Sequence, residues 1–161
     1  MSHSDKIRDT ETHFIIDPGT RAITTASAGN NILAQYDHNS ERFTFDIPRY
    51  VDGHDMSEVS EVRIHFRNAA TSNMLIHNGT YTPDDLAIGG ENENVITFSW
   101  LLSSDATQYV GGLHFSIQFV CRDERGALTY VWNTGVYKDI VVIEAMNHMN
   151  NADALAPAAW G

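Results

Sequence analysis

The chain has 161 residues, of which 42% are hydrophobic and 19% are charged, and its formal net charge is −11 at pH 7. This size and composition predict one globular domain with a substantial core, and they exclude an extended charged linker. Because acidic residues are in excess and basic residues are scattered, the surface would repel phosphates, which argues against direct binding to nucleic acid.

The N-terminal part of the chain combines a polar start with turn signals. Residues 1–12 lack hydrophobic periodicity, so we expect an N-terminal arm there. Residues 13–17 and 21–24 are predicted to form a hairpin around Asp17-Pro18-Gly19-Thr20, where Pro fixes φ and Gly allows a positive φ. A short strand is expected at residues 32–36.

Alternating hydrophobic residues predict two half-buried strands, at residues 43–47 and 62–66. Pro48 is expected at an edge or an end of the first of these strands, because it cannot donate a ladder hydrogen bond. Residues 50–57 between them are predicted to be a polar loop.

Asn78-Gly79 is the strongest short hairpin signal in the chain and predicts a type I′ turn between residues 74–77 and 80–82. Residues 83–94 are then expected to be a polar connection.

The segment from Val95 to Thr134 predicts three successive strands, with Gly111-Gly112 opening the second and residues 123–126 turning it into the third. Residues 140–143 are consecutive Ile and Val, which predicts a strand that is covered on both faces.

Strands recur about every ten residues with turns between them, which is typical of a sandwich or barrel. We therefore predict an all-β fold, a single immunoglobulin-like or jelly-roll antiparallel β-sandwich over residues 13–145 with arms at 1–12 and 146–161. The spacing does not choose between the two topologies. The predicted core consists of Phe43, Phe45, Val62, Ile64, Phe66, Phe98, Trp100, Phe115, Ile117, Phe119 and Trp132.

The chemistry-bearing residues form no known catalytic or metal-binding motif. The chain contains no G-x-S-x-G elbow, phosphate-binding loop or Cys/His zinc spacing, so we predict no catalytic residue, no cofactor and no metal site, and no enzyme activity. Acidic loops could hold calcium, although turn hydrogen bonds explain them better. The candidate calcium loops contain Asp52, His54 and Asp55 in one case and Asp84 and Asp85 in the other. His65 and His114 could meet only if their strands pair.

Three aromatic residues and one cysteine have alternative interpretations. Trp100, Tyr130 and Trp132 could form a sugar-stacking face, which makes a carbohydrate- or ligand-binding module the alternative function, although core positions suit them better. Cys121 is the single cysteine, so it cannot form an intramolecular disulfide, and we expect it to pack in the core or sheet.

The C-terminal segment, residues 146–161, is rich in Ala and is interrupted by Pro157. We expect it to become ordered only against a partner, with Trp160, Leu155 and Met149 as interface residues, because only these side chains have enough apolar surface to offset the entropy cost.

Several motifs together suggest a family. They are I-D-P-G-T-R-A-I (16–23), E-R-F-T-F-D-I-P-R-Y (41–50), E-V-R-I-H-F-R-N-A (61–69), V-I-T-F-S-W-L-L (95–102) and V-W-N-T (131–134). In this order they resemble the immunoglobulin-like N-terminal domain of phage baseplate upper proteins and related head-fibre or tail-adaptor proteins.

The resemblance implies a non-enzymatic structural component of a tailed-phage virion that decorates the capsid or acts as a head, tail or baseplate adaptor. Its partners would be other capsid, tail or fibre subunits, and it would form a homo-oligomer within the assembly, with no direct contact to nucleic acid or membrane. No apolar run is long enough to cross a membrane and Met1–Asp5 is not a basic signal-peptide start, so we expect synthesis in the host cytoplasm and residence in the virion.

Deletion of residues 146–161 tests the predicted role of the C-terminal arm. Because the arm lies outside the predicted core, the melting temperature should stay nearly unchanged while incorporation into particles is abolished. Thermal melts and immunoblots of purified particles measure both. Incorporation of the truncated protein at wild-type occupancy would contradict the prediction and place the docking surface on the sandwich.

Overall fold

A computed structural model describes residues 11–26, 31–38, 40–68, 76–81, 86–102 and 104–146, with only the backbone described for Glu11 and residues 76–81. In these ranges the chain is all-β, as predicted. The strands are β1 (Glu11–Ile16), β2 (Ile23–Thr25), β3 (Ile32–Ala34), β4 (Arg42–Pro48), β5 (Tyr50–Val51), β6 (His54–Asp55), β7 (Glu61–Asn68), β8 (Ile76–Tyr81), β9 (Ala87–Gly89), β10 (Val95–Leu101), β11 (Gly111–Arg122), β12 (Leu128–Asn133) and β13 (Tyr137–Ile143). Two single-turn 3₁₀ helices cover Met56–Glu58 and Glu91–Glu93, and none of the described helices is long enough to cross a membrane.

The first sheet has the order β2-β1-β4-β10-β9. The hairpin of β1 and β2 is confirmed, with Ile16 paired to Ile23. Strand β1 also pairs with β4, and this pair is parallel. A parallel pair needs a crossover connection rather than a tight turn, and here β3, which belongs to the other sheet, lies between them in the sequence.

The second sheet has the order β3-β13-β11-β7-β8, with β12 also paired to β11. Strand β11 is twelve residues long and pairs with β7 on one edge. On its other edge it pairs first with β13 and then with β12. The β3–β13 pair is parallel, so each sheet contains one parallel pair within a mostly antiparallel arrangement.

The predicted core is confirmed, because every one of its eleven residues is buried in a single hydrophobic cluster between the two sheets. The alternation described above explains this burial, since every second residue of a strand faces the opposite sheet. Phe14, which the sequence did not single out, joins the cluster with no exposed surface.

Phe115 on β11 lies at the centre of the core. Its ring centroid is 5.8 Å from that of Phe14, 5.7 Å from that of Phe45 and 5.5 Å from that of Trp100, all three in edge-to-face geometry. Edge-to-face pairs add a favourable electrostatic term to the area that they bury. A side chain of the second sheet is therefore fixed among aromatic residues of the first.

The structure corrects the prediction for Asn78-Gly79, because these residues lie inside β8 and form no hairpin turn. Strand β8 pairs with β7, and the register shifts between Arg63 and His65, so that Asn78 and Gly79 together occupy the place opposite Ile64. This is a β-bulge, a site where Gly is favoured for the same backbone freedom that suits it to turns.

The polar loop predicted at residues 50–57 is instead a small hairpin of β5 and β6. Asp52 and Gly53 form its two-residue turn, and both have positive φ, 51° and 83°, as a type I′ turn requires. The predicted polar connection at 83–94 likewise contains β9, which pairs with β10. Its sequence, Ala-Ile-Gly, has no alternation that would have revealed it.

Substitution of Phe115 by Ala tests the central position of this ring. Truncating a fully buried Phe should lower the free energy of unfolding by about 3–5 kcal/mol, because the transfer energy is lost and a cavity is left. Leu128→Ala is the matched control, since Leu128 is 58% exposed and its truncation should change stability by less than about 0.5 kcal/mol. Urea denaturation of the three proteins measures the difference, and equal effects of the two substitutions would contradict the prediction.

Candidate interaction surface

The acidic loop considered for calcium is committed to protein contacts. The Asp55 carboxylate accepts two hydrogen bonds from the Arg49 guanidinium at 3.1 Å each and two from Ser57, so it caps the following 3₁₀ helix. The ring of His54 stacks on Tyr130, with the centroids 3.7 Å apart. No three His, Cys, Asp or Glu side chains converge anywhere in the described ranges, and Asp84 and Asp85 lie outside them.

The strands that carry His65 and His114 do pair, in a register that places His114 opposite Arg67 and His65 opposite Ser116. The two histidines nevertheless contact different neighbours. Nδ1 of His114 lies 3.2 Å from Nη2 of Arg67, and Nε2 of His65 lies 3.5 Å from Oε1 of Gln118. They form no shared ligand set.

The residues considered for a sugar-stacking face belong to the core. Trp100 and Trp132 are almost completely buried, and aromatic neighbours such as Phe66 and Phe119 contact their rings. Tyr130 is half-buried beneath His54. Their ring faces are therefore occupied by protein, and they offer no platform for a sugar.

Cys121 is half-buried and packs against the core, as predicted for a sheet residue. Burial raises the pKa of its thiol, and the hydrogen bond with the Ser60 backbone opposes the change. Of the predicted interface residues, Met149, Leu155 and Trp160 lie outside the described residues. Met146, the last described residue, is 76% exposed.

The outer face of the second sheet carries an exposed hydrophobic patch, which we call the apolar strip. It consists of Ile32 and Ala34 on β3 and Val141 and Ile143 on β13. The parallel register pairs Val141 with Ile32 and Ile143 with Ala34, so all four side chains point to the same face. Ile32 is 56% exposed, Val141 47% and Ile143 48%. A contiguous exposed patch of this kind is typical of a binding surface.

The predicted burial of residues 140–143 on both faces is therefore wrong for one face. Ile140 and Val142 are fully buried toward the first sheet, whereas Val141 and Ile143 face outward. A strand with one exposed face usually alternates apolar and polar residues, and residues 140–143 lack this alternation. Four consecutive apolar residues therefore do not show whether the second face is covered by protein or exposed.

On the side of β11, the apolar strip is bordered by Gly112 and then by His114, which lies beside the cation Arg67. Gly112 on β11 pairs with Val141, so no side chain stands beside Val141 there. The His114 ring leans back over this glycine, since a Cβ at Gly112 would lie 3.0 Å from its Nε2. Burial and the nearby cations Arg67 and Lys138 lower the pKa of His114 below its usual range. The border is thus an imidazole held near two cations.

Comparisons with known proteins find similarity among solved structures. No family model and no curated protein matches the chain. Among solved structures, the chain is similar to the N-terminal domain of phage TP901-1 ORF48, with 11% sequence identity and a TM-score of 0.44, over 84% of this chain and 98% of that chain.

Substitutions of Asp55 test its role as a cap and ion-pair partner. Asp55→Ala removes both contacts and should lower the free energy of unfolding by about 1 kcal/mol, whereas Asp55→Asn keeps a capping oxygen and should cost less. Glu58→Gln, an exposed acid in the same 3₁₀ helix, is the control. Denaturant titrations at pH 7 provide the measurement.

The same variants should show a specific pH dependence. The hydrogen bonds from Arg49, followed by those from Ser57, lower the pKa of Asp55 despite the opposing effect of burial. The stabilisation is therefore complete above the ordinary Asp pKa of about 4 and is lost as the pH falls through the lowered value. The difference between wild type and Asp55→Asn should shrink in that acidic window, and a difference that stays constant down to pH 2 would contradict this assignment.

Proposed function

We propose that the chain is a non-enzymatic structural component of a tailed-phage virion. In this role a small β-sandwich decorates the capsid, or serves as a head, tail or baseplate adaptor, through contacts with other virion proteins. The observation that carries the proposal is the apolar strip, a set of exposed hydrophobic side chains that lie side by side on the outer face of the second sheet. The motifs that resemble phage baseplate upper proteins supply the virion context.

The strip suits permanent contact with protein better than capture of a small ligand. Its four side chains form one face of a sheet rather than a cavity, and a binding pocket for a small molecule is usually concave and closes around its ligand. Its polar border at His114 resembles the rim that surrounds the hydrophobic centre of a protein–protein interface. The partners would be other capsid, tail or fibre subunits and further copies of this chain.

Counting copies in purified virions of the phage that encodes the chain tests the proposal. We expect the protein at a fixed number of copies per particle, measured by quantitative mass spectrometry. A number on the order of hundreds would indicate the capsid surface, and about six or twelve would indicate the tail, since these follow the symmetry of each structure. Absence of the chain from washed particles would contradict a virion role.

Charged substitutions link the strip to incorporation. Val141→Asp with Ile143→Asp should reduce incorporation by about tenfold or more, because burying an unpaired carboxylate in an interface is costly. Leu128→Asp is the control, since it places one carboxylate on an exposed apolar residue of β12, away from the strip. Equal incorporation of both variants would show that the strip is not the docking surface.

A further inference from the structure

We propose that residues 147–161 of one copy bind the apolar strip of a second copy, so that the chain associates tail to strip. This inference rests on the proposed role in an assembly and names one of its partners. It concerns an interaction of the purified protein, so its test needs no virion.

The first step is that the strip is open to solvent. Ile32, Val141 and Ile143 each retain about half of their surface exposed, although they sit side by side in register. The neighbouring position Gly112 adds no side chain of its own, and the His114 ring lies over it, so the strip ends on this side against an imidazole. An aromatic or Leu side chain from another segment fits such a surface.

The second step is where the C-terminal segment starts. Strand β13 ends at Ile143, within the strip itself, and the chain makes no turn over residues 144–146. To cover its own strip, the chain would have to reverse after Met146, because no turn lies between Ile143 and Met146. The described backbone has no turn or bend from Ile143 to Met146, and Met146 is 76% exposed. This path favours a strip on another copy.

The third step is the match in composition between segment and strip. Residues 147–161 contain Met149, Leu155 and Trp160 together with five Ala, and their single acidic residue is Asp153. The strip offers an apolar surface bordered by the His114 ring, whose Nδ1 lies 3.2 Å from Nη2 of the Arg67 cation. An apolar segment with one carboxylate is complementary to that border. Residues 1–10, the other terminal segment, are mainly polar and charged and fit it less well.

A tail-to-strip contact joins two different surfaces of the same chain. Such a heterologous contact repeats from copy to copy and gives a ring if the rotation closes. A strip-to-strip contact would instead be self-complementary and would stop at a dimer. This difference in symmetry provides the test.

The experiment compares the wild-type full chain with three variants and measures mass against concentration by light scattering. The strip variant carries Val141→Asp and Ile143→Asp, the tail variant carries Leu155→Ser and Trp160→Ser, and Leu128→Asp is the control. We expect wild type and control to associate, and each of the other two variants to associate at least about tenfold more weakly. Because each defective variant keeps the surface that the other lacks, an equal mixture should form a one-to-one heterodimer that grows no further.

Three results would overturn the proposal. A tail variant that associates like wild type would assign the strip to a strip-to-strip contact. A wild type that stays monomeric up to millimolar concentration would assign the strip to a different partner. The third result concerns a wild type that stays monomeric, with the fluorescence of Trp160 obtained by subtracting the signal of Trp160→Phe. If acrylamide quenches Trp160 less in wild type than in the strip variant, the tail covers its own strip.

Folding and function are controlled separately. Thermal melts check each variant, and Val141→Thr with Ile143→Thr replaces the strip variant if the Asp substitutions lower the melting temperature, because Thr keeps the branched shape and the strand preference. If the protein is present in virions but does not self-associate, only this inference fails. If it self-associates but is absent from virions, only the proposed function fails.

Discussion

Phe115 inserts an aromatic ring from the second sheet among the rings of Phe14, Phe45 and Trp100 in the first sheet. This contact fixes more than the distance between the sheets. Residues alternate between the two faces of a strand, so a slip of β11 by one residue would turn Phe115 to water and bury His114. The aromatic core therefore determines the register of β11, and through it which residues of β7 and β13 face outward.

The core could be predicted from the sequence because its signal is local. Phe43, Phe45 and Phe115 lie in segments with strict alternation, which identifies both the strand and its buried face without knowledge of its neighbours. Pairing could not be predicted in the same way. The parallel pairs β1–β4 and β3–β13 join segments that are remote in sequence, and no periodicity within either partner reports on the other.

Turns show how tertiary context overrides a local signal. Asn78-Gly79 and Asp52-Gly53 are both typical of a type I′ turn, yet only Asp52-Gly53 forms one. At Asn78-Gly79 the neighbouring strand β7 offers a long alternating partner, and pairing with it turns the dipeptide into a bulge. Here the turn preference of the dipeptide is outweighed by the four residue pairs that β8 forms with β7.

The candidate surface was only partly accessible to sequence reasoning. Composition predicts Met149, Leu155 and Trp160 as interface residues, because large apolar side chains in an otherwise polar or Ala-rich segment indicate an interface, and this stays a prediction. The run of Ile and Val predicts that Val141 and Ile143 are buried, because such a run contains no information about what lies over its second face. Their exposure depends on β3, whose three residues cover one edge of β13 and leave its outer face open.

The β3–β13 pair also bears on how fast the protein can fold. Ile32 finds its partner Val141 only when nearly the whole described chain is available, and the hydrogen bond between Thr25 and Tyr137 spans 112 residues. Closing such a large loop costs chain entropy before any contact compensates for it, and β-proteins dominated by remote pairs fold in milliseconds to seconds. During synthesis, β3 is therefore made long before β13, and its partner strand is missing until β13 has been added. Its brevity, three residues, limits the strand edge that it offers to other chains in that interval.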